Sequence, residues 1–331
     1  MAVKVYERMP MRNVSRAWLI VATLILGLAP RLFAADASTG HRLLISDDGK
    51  HHIAIVDKDG KIEWEHQIGG LHDLHMLPSG NILFQTNMQH ILEVDPKTNK
   101  TVWEYDASKA NGNAGKKVEV HAFQRLADGN TMLAESGIAR IIEVDKDGKI
   151  AKEIKLTVKH PSTHSDTRLV RKLDNGHYLV SHEADGAVRE YDGDGKVVWE
   201  YAVPLFDKKP AGGHGPEAFG NQTFQPLRLA SGNTLIATGN GHSIIEVTPD
   251  KKIVWEIHQN DLPGITLAWV TTLQILPNGN IVFGNCHAGP ENPQVIEVTR
   301  DKKVVWTFKD HKNFDNSTTN SEVLDVEPIV R

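Results

Sequence analysis

Apolar positions along this chain fall into short alternating runs separated by turn residues, and the whole pattern repeats. Asn81-Ile82-Leu83-Phe84 is followed by His90-Ile91-Leu92-Glu93-Val94 and then by Thr101-Val102-Trp103-Glu104-Tyr105. Each run has the length and the β-branched or aromatic content of a strand. One full copy spans Leu71 to Asp106, and its turn glycine returns as Gly80, Gly129, Gly176, Gly232 and Gly279, roughly 47 to 56 residues apart. Four strands at that period predict one antiparallel blade of a β-propeller.

Residues 41–67 match only the last three strands of the repeat, with Gly40-His41 standing where Gly80-Asn81 stands. The segment Thr319 to Val326 reads as the missing inner strand. Five complete blades and one shared blade predict an all-β, six-bladed propeller of four-stranded antiparallel blades. Pairing the N- and C-terminal segments would close the ring and remove the free edges of an open sheet.

The propeller pattern begins near residue 38. Before it, Lys4, Arg8, Arg12 and Arg16 precede an apolar run from Ala17 to Ala29, with small-residue sites at Leu32-Phe33-Ala34 and Ala35-Asp36-Ala37. This order predicts a signal peptide over 1–37 and a propeller over 38–331. The apolar run is short of the roughly 20 residues that span a bilayer, so no membrane span is expected after cleavage. The expected location is periplasmic or secreted. The chain carries a net charge of −5, and loss of the basic leader would bring it near −9, which argues against nucleic acid as a partner. With Cys286 as the single cysteine, stability must come from core burial rather than disulfides.

Residue types that recur in every blade are expected to hold blades together. Trp64, Trp103, Trp199, Trp255 and Trp306 close outer strands, with Lys152 in the tryptophan's place in one blade. Each ring can bury on the order of 200 Å². Glu93, Glu143, Glu190, Glu246 and Glu297 recur in third strands and are expected to pair with a neighbouring blade. Asp145-Lys146-Asp147-Gly148-Lys149 lacks the ligands of a calcium loop and reads as a solvated hairpin.

Histidine breaks the repeat. Of 17 histidines, almost all fall in the second-to-third and blade-to-blade connections, which share one face of a propeller. His72 and His121 stand eight residues before their turn glycines, where an inner strand opens on the central tunnel. Arg168 holds that offset in the next blade, just after His164 and Asp166, and Phe224 and Thr271 hold it in the last two. The mouth is therefore expected to have a basic, imidazole-rich half and an aromatic, neutral half with Gln222, Gln225 and Trp269. Such polarity suits a small ligand with an anionic end and a ring. His182, His242 and His287, in second-to-third loops, join the expected ligand-binding set. The loop from Pro204 to Asn221, with Gly212-Gly213-His214-Gly215, is a candidate lid.

Asp95-Pro96-Lys97-Thr98-Asn99-Lys100-Thr101-Val102-Trp103 resembles the tryptophan-docking motif of the PQQ-like propeller repeats, and Asp192 to Trp199 is a second, looser copy. With six blades and one cysteine, the quinone cofactor itself is not expected. His72-Asp73-Leu74-His75-Met76-Leu77-Pro78-Ser79-Gly80-Asn81 also resembles the H-D-x-x-x-L-P-N-G-N segments of the arylsulfotransferases, six-bladed propellers that pass a sulfuryl group through a histidine. His164-Ser165-Asp166 and Leu179-Val180-Ser181-His182 are similar to two further segments of that family, with His182 where an arginine is expected. The resemblance implies His164 as nucleophile and His72, His121 and Arg168 as charge stabilisers.

Three readings of the histidine-rich mouth stay open. His72, His121 and His164, from adjacent blades, could hold a divalent transition metal. His164 and Arg168 could be catalytic in sulfuryl transfer. The face could also bind a ligand or a protein partner without catalysis. A serine hydrolase has no support, since no G-x-S-x-G motif occurs.

Overall fold

Alternation and turn chemistry produce six separate four-stranded antiparallel sheets in the computed structural model, which describes residues 40–329. The blades comprise residues 43–67 with 321–323, then 74–106, 119–155, 170–202, 225–257 and 269–308. They are called blades 1 to 6. The expected signal peptide lies outside the described residues. Among those described, no helix is long and apolar enough to cross a membrane.

The ring closes as the repeat requires. Ser321–Val323 pairs antiparallel with the first strand of the chain, with Leu43 opposite Val323 and Ile45 opposite Ser321. The tail strand is thus the inner strand of blade 1. It is tied on both sides, because Val323 N–H donates to Gln274 Oε1 of blade 6 at 2.8 Å and Met76 N–H of blade 2 donates to Glu322 Oε2 at 2.9 Å.

Burial differs across a blade. Second and third strands such as Leu43–Asp47 and His52–Val56 are buried along their whole length, whereas the outer strand Ile62–Gln67 alternates half-buried and exposed. Blades stack face to face, so the middle strands bury both faces, and only the rim keeps the period of two. A register shift recurs in every blade where the third strand meets the outer one, as at Glu93/Val94 and Glu190/Tyr191. This bulge bends the outer strand and aims its tryptophan at the next blade.

The tryptophans dock there by hydrogen bonds as much as by burial, and their rings are only half-buried. The indole N–H of Trp64 reaches Asn99 Oδ1, and those of Trp103, Trp199 and Trp255 reach the carbonyls of Lys146, Pro249 and Arg300, at 2.7 to 3.1 Å. Arg125, Arg228 and Arg300 lie over three of the rings. Where Lys152 replaces tryptophan, its ammonium lies 5.6 Å from the ring centre of Tyr178 in the next blade. The repeated glutamates pair across blades too, Glu93 with Arg125, Glu143 with Lys172, Glu190 with Arg228, Glu246 with Arg300 and Glu297 with His41.

Candidate functional site

The inner strands converge on a tunnel plugged by polar side chains. Asp73, fully buried, takes two hydrogen bonds from Arg171 at 2.8 and 3.0 Å and one from Phe123 N–H at 3.1 Å. Burial alone would raise its carboxyl, but the Arg171 and His75 charges hold it down to about 2. Blades 2, 3 and 4 are thereby locked together beneath the mouth.

Above this plug, on the face of the blade-to-blade loops, a cavity of about 340 Å³ opens. His72, His164 and Arg168 line one wall, with Ser165 and Glu183. Phe224, Trp269 and Thr271 line the other. His72 and Phe224 meet across the mouth, edge to face, with ring centres 6.2 Å apart. Asp48, Cys286, His287, Ser317 and Thr319 complete the lining beside the tail. The glycine-bearing loop folds over it. Ala211 and Phe219 pair as a short bridge, and this sets His214 between Trp269 and His287 at ring distances of 5.0 and 5.1 Å.

His121 lies just beneath this surface, fully buried. It is the extra residue of a bulge, for pairing shifts between Val120 and Ala122, and a bulge re-aims the side chain it carries. Its Nδ1 is 2.6 Å from Nδ1 of His72 and 3.3 Å from Nη1 of Arg168. Its Nε2 is 3.0 Å from Glu119 Oε2. That same carboxylate oxygen takes a bond of 2.8 Å from Nδ1 of His164, which stands more than half exposed at the rim. Arg168 is fixed by the carbonyl of His164 at 2.6 Å and by an ion pair through Nε to Glu183.

The charges of this site differ from the sequence expectation of a basic half. Burial, with the nearby Arg168 charge, drives His72 well below the usual histidine range, and burial holds His121 down to about 3 against the pull of Glu119. Both are neutral imidazoles at neutral pH. Arg168 keeps its charge but spends it on Glu183, whose carboxyl burial raises. Burial likewise raises Asp48 to about 6 and lowers His287 to about 4. Burial would raise the Glu119 carboxyl, but the His121 and His164 imidazoles beside it hold it down to about 2.

Of the residues singled out in the sequence, His72, His164, Arg168, His287, Trp269 and Gln222 share this cavity, and His121 supports it. His182 and His242 do not reach it. His182 is buried between the carbonyl of Asp166 and the Tyr191 hydroxyl, both at 2.8 Å. His242 is clamped between the carbonyls of Ala268 and Ala218. Each braces a loop, because a long connection on this face must satisfy its backbone with side chains. Glu119 and Asp48 were not singled out. The signal for Glu119 was its place two residues before His121 in one strand, the spacing that puts two side chains on one face.

A family model described as "Outer membrane protein assembly factor BamB" matches residues 11–174 and 49–308. No curated protein matches the chain. Among solved structures, a protein of unknown function from Bacteroides caccae superposes with a TM-score of 0.69 at 24% identity, covering 85% of this chain and 98% of its own. Virginiamycin B lyase from Staphylococcus aureus gives 0.52 at 14% identity, covering 87% and 86%. The WD40 propeller domain of Doa1 gives 0.51 at 13%, covering 82% and 80%. At these identities the likeness shows the fold. With the repeat, the docked tryptophans and a family match over well more than half its length, the chain belongs to the PQQ-like-repeat β-propeller family described by BamB.

Proposed function

We propose that this protein is an exported propeller that binds a small molecule carrying a ring and an anionic or strongly polar head in the histidine-rich cavity. One observation carries the reading. A single cavity of about 340 Å³ has Trp269 and Phe224 on one wall and Arg168, His72 and His164 on the other, and its volume suits a ligand of one or two rings. The Arg168 guanidinium is held at Nε and Nη1, and Nη2 has no partner among the described residues. That edge is available to a carboxylate or sulfate oxygen. His214, packed against Trp269, would close over the ring.

Calorimetric titration with 4-nitrophenyl sulfate, 4-nitrophenyl phosphate and 4-hydroxybenzoate tests the reading. At least one should bind, and Arg168→Gln should weaken it by on the order of 10-fold or more while Trp269→Ala weakens charged and uncharged phenols alike. Binding that ignores both substitutions refutes it.

Catalysis is supported by His164. With no ion bound, Glu119 fixes its Nδ1 at 2.8 Å, so the N–H sits there and Nε2 keeps a lone pair for attack or proton transfer. In the sulfuryl-transfer reading, Nε2 forms an N–S bond as the ester S–O bond breaks and the phenolate leaves, the Nδ1 proton is shared with Glu119, and Arg168 and His72 stabilise the oxyanions. A sulfo-adduct on His164 after incubation with 4-nitrophenyl sulfate, detected by mass spectrometry, is the expected product, and its absence removes this second reading. A protein partner is supported by the family description, which names an assembly factor. A pull-down from a periplasmic extract that returns no reproducible partner counts against it. Export itself predicts a mature N-terminus near Ala35 or Ser38, and an intact Met1 on the native protein counts against it.

A further inference from the structure

Glu119 Oε2, His121 Nε2 and His164 Nδ1 lie within 4.8 Å of one another, and we propose that they form a three-ligand site for a divalent transition ion of the zinc class. The set differs from the one expected from sequence, with Glu119 in the place of His72. Two imidazole nitrogens and one carboxylate oxygen are the donor set of open zinc sites, in which a fourth position is left for water or substrate. Glu119 Oε2 stands 3.0 Å from one nitrogen and 2.8 Å from the other. Ligand atoms about 2.1 Å from one ion are themselves roughly 3.4 Å apart, so the two pairs that share Glu119 need open by only a few tenths of an ångström, and the two imidazole nitrogens, within 4.8 Å of each other, must settle to the same spacing.

A second observation points to the ion. His121 Nε2 is fully buried, yet it has no aligned hydrogen-bond partner, and a buried polar atom left so calls for an explanation. Coordination supplies one. With the ion on Nε2, the proton of His121 sits on Nδ1 and donates to Nδ1 of His72, 2.6 Å away, the outer bond that fixes the ring of a metal-bound histidine. The backbone of His164 is pinned by the Arg168 bond to its carbonyl and by the turn in which Ser165 N–H and Oγ bond to Ser162 Oγ. The charge also fits. Glu183 neutralises Arg168, which leaves the Glu119 carboxylate to face the cation. His164 stands at the cavity, so the open coordination position would meet the head of a bound ligand.

This inference does not depend on the ligand reading, because its readout is the metal alone. Protein made without a histidine tag, stripped with chelator and titrated with zinc or cobalt, should take up one equivalent. The cobalt form should show the ligand-field absorption of a four- or five-coordinate ion. His164→Ala, at an exposed position that leaves the fold intact, and Glu119→Gln should each weaken binding by on the order of 100-fold or more, and His72→Ala by about 10-fold through the outer bond. His160→Ala, at an exposed histidine paired with Asp185, should leave it unchanged. Absence of a saturable equivalent, or uptake that survives both His164→Ala and Glu119→Gln, or uptake lost on His160→Ala instead, overturns the proposal.

Discussion

Removing residues 320–331 should open the ring, and the structure says by how much. The deletion takes away Ser321–Val323, the inner strand of blade 1, and leaves the edge of Leu43–Asp47 bare. Many hydrogen bonds beyond the ladder go with it, and four of them suffice for a lower bound. They run from Val323 N–H to Gln274 Oε1, from Met76 N–H to Glu322 Oε2, from Asn320 Nδ2 to the His72 carbonyl and from Leu324 N–H to the Arg42 carbonyl. At about 1 kcal/mol net each, with about 2 kcal/mol for burying Val323, the loss is about 6 kcal/mol before the ladder is counted. At roughly 2 °C per kcal/mol for a chain of this size, Tm should fall by about 12 °C or more. Differential scanning calorimetry of the mature chain and the truncation measures it, and aggregation through the bare edge should appear in light scattering. A truncation that melts within about 2 °C of the parent refutes closure by the tail.

Other substitutions test the packing and the charges separately. Trp199→Ala should lose about 2 to 4 kcal/mol in urea unfolding, since it removes a half-buried ring, its bond to the Pro249 carbonyl and the Arg228 contact; a loss under about 1 kcal/mol means the docking contributes little. Asp73→Asn should lose about 3 to 5 kcal/mol because the buried Arg171 would lose its counter-charge, and a near-neutral result shows that water or another acid compensates. Asp48→Asn tests pH dependence. Its carboxyl rises from 3.8 unfolded to about 6 folded, so its contribution to stability is complete below about pH 4 and lost as pH rises through 6. The variant should therefore exceed the parent by about 1 to 3 kcal/mol at pH 8 and match it at pH 4, whereas an equal offset at both pH values rules out this titration.

The sequence by itself determined the parts of this protein that depend on local chemistry repeated many times. Strand alternation, turn glycines and recurring tryptophans specify a blade within about fifty residues, and a blade lacking its inner strand at one end of the chain implies a tail that supplies it. Residues such as Glu93 and Glu190 were legible as blade-to-blade partners because their recurrence ties them to the repeat. The histidine excess located the mouth for the opposite reason, since it breaks the repeat. Which imidazoles face the cavity was decided only by the tertiary structure. His182 and His242 share the loops and the face of His287, yet they are turned inward to carbonyl groups that no local pattern identifies. His121 is aimed by a bulge whose register depends on its partner strand. Glu119 becomes part of the site only because the loop from blade 3 to blade 4 returns His164 to the same oxygen. Charge was the least legible of all. An imidazole reads as a cation or a neutral ligand according to its burial and the charges beside it, and both are products of chain segments from different blades that meet only in the folded protein.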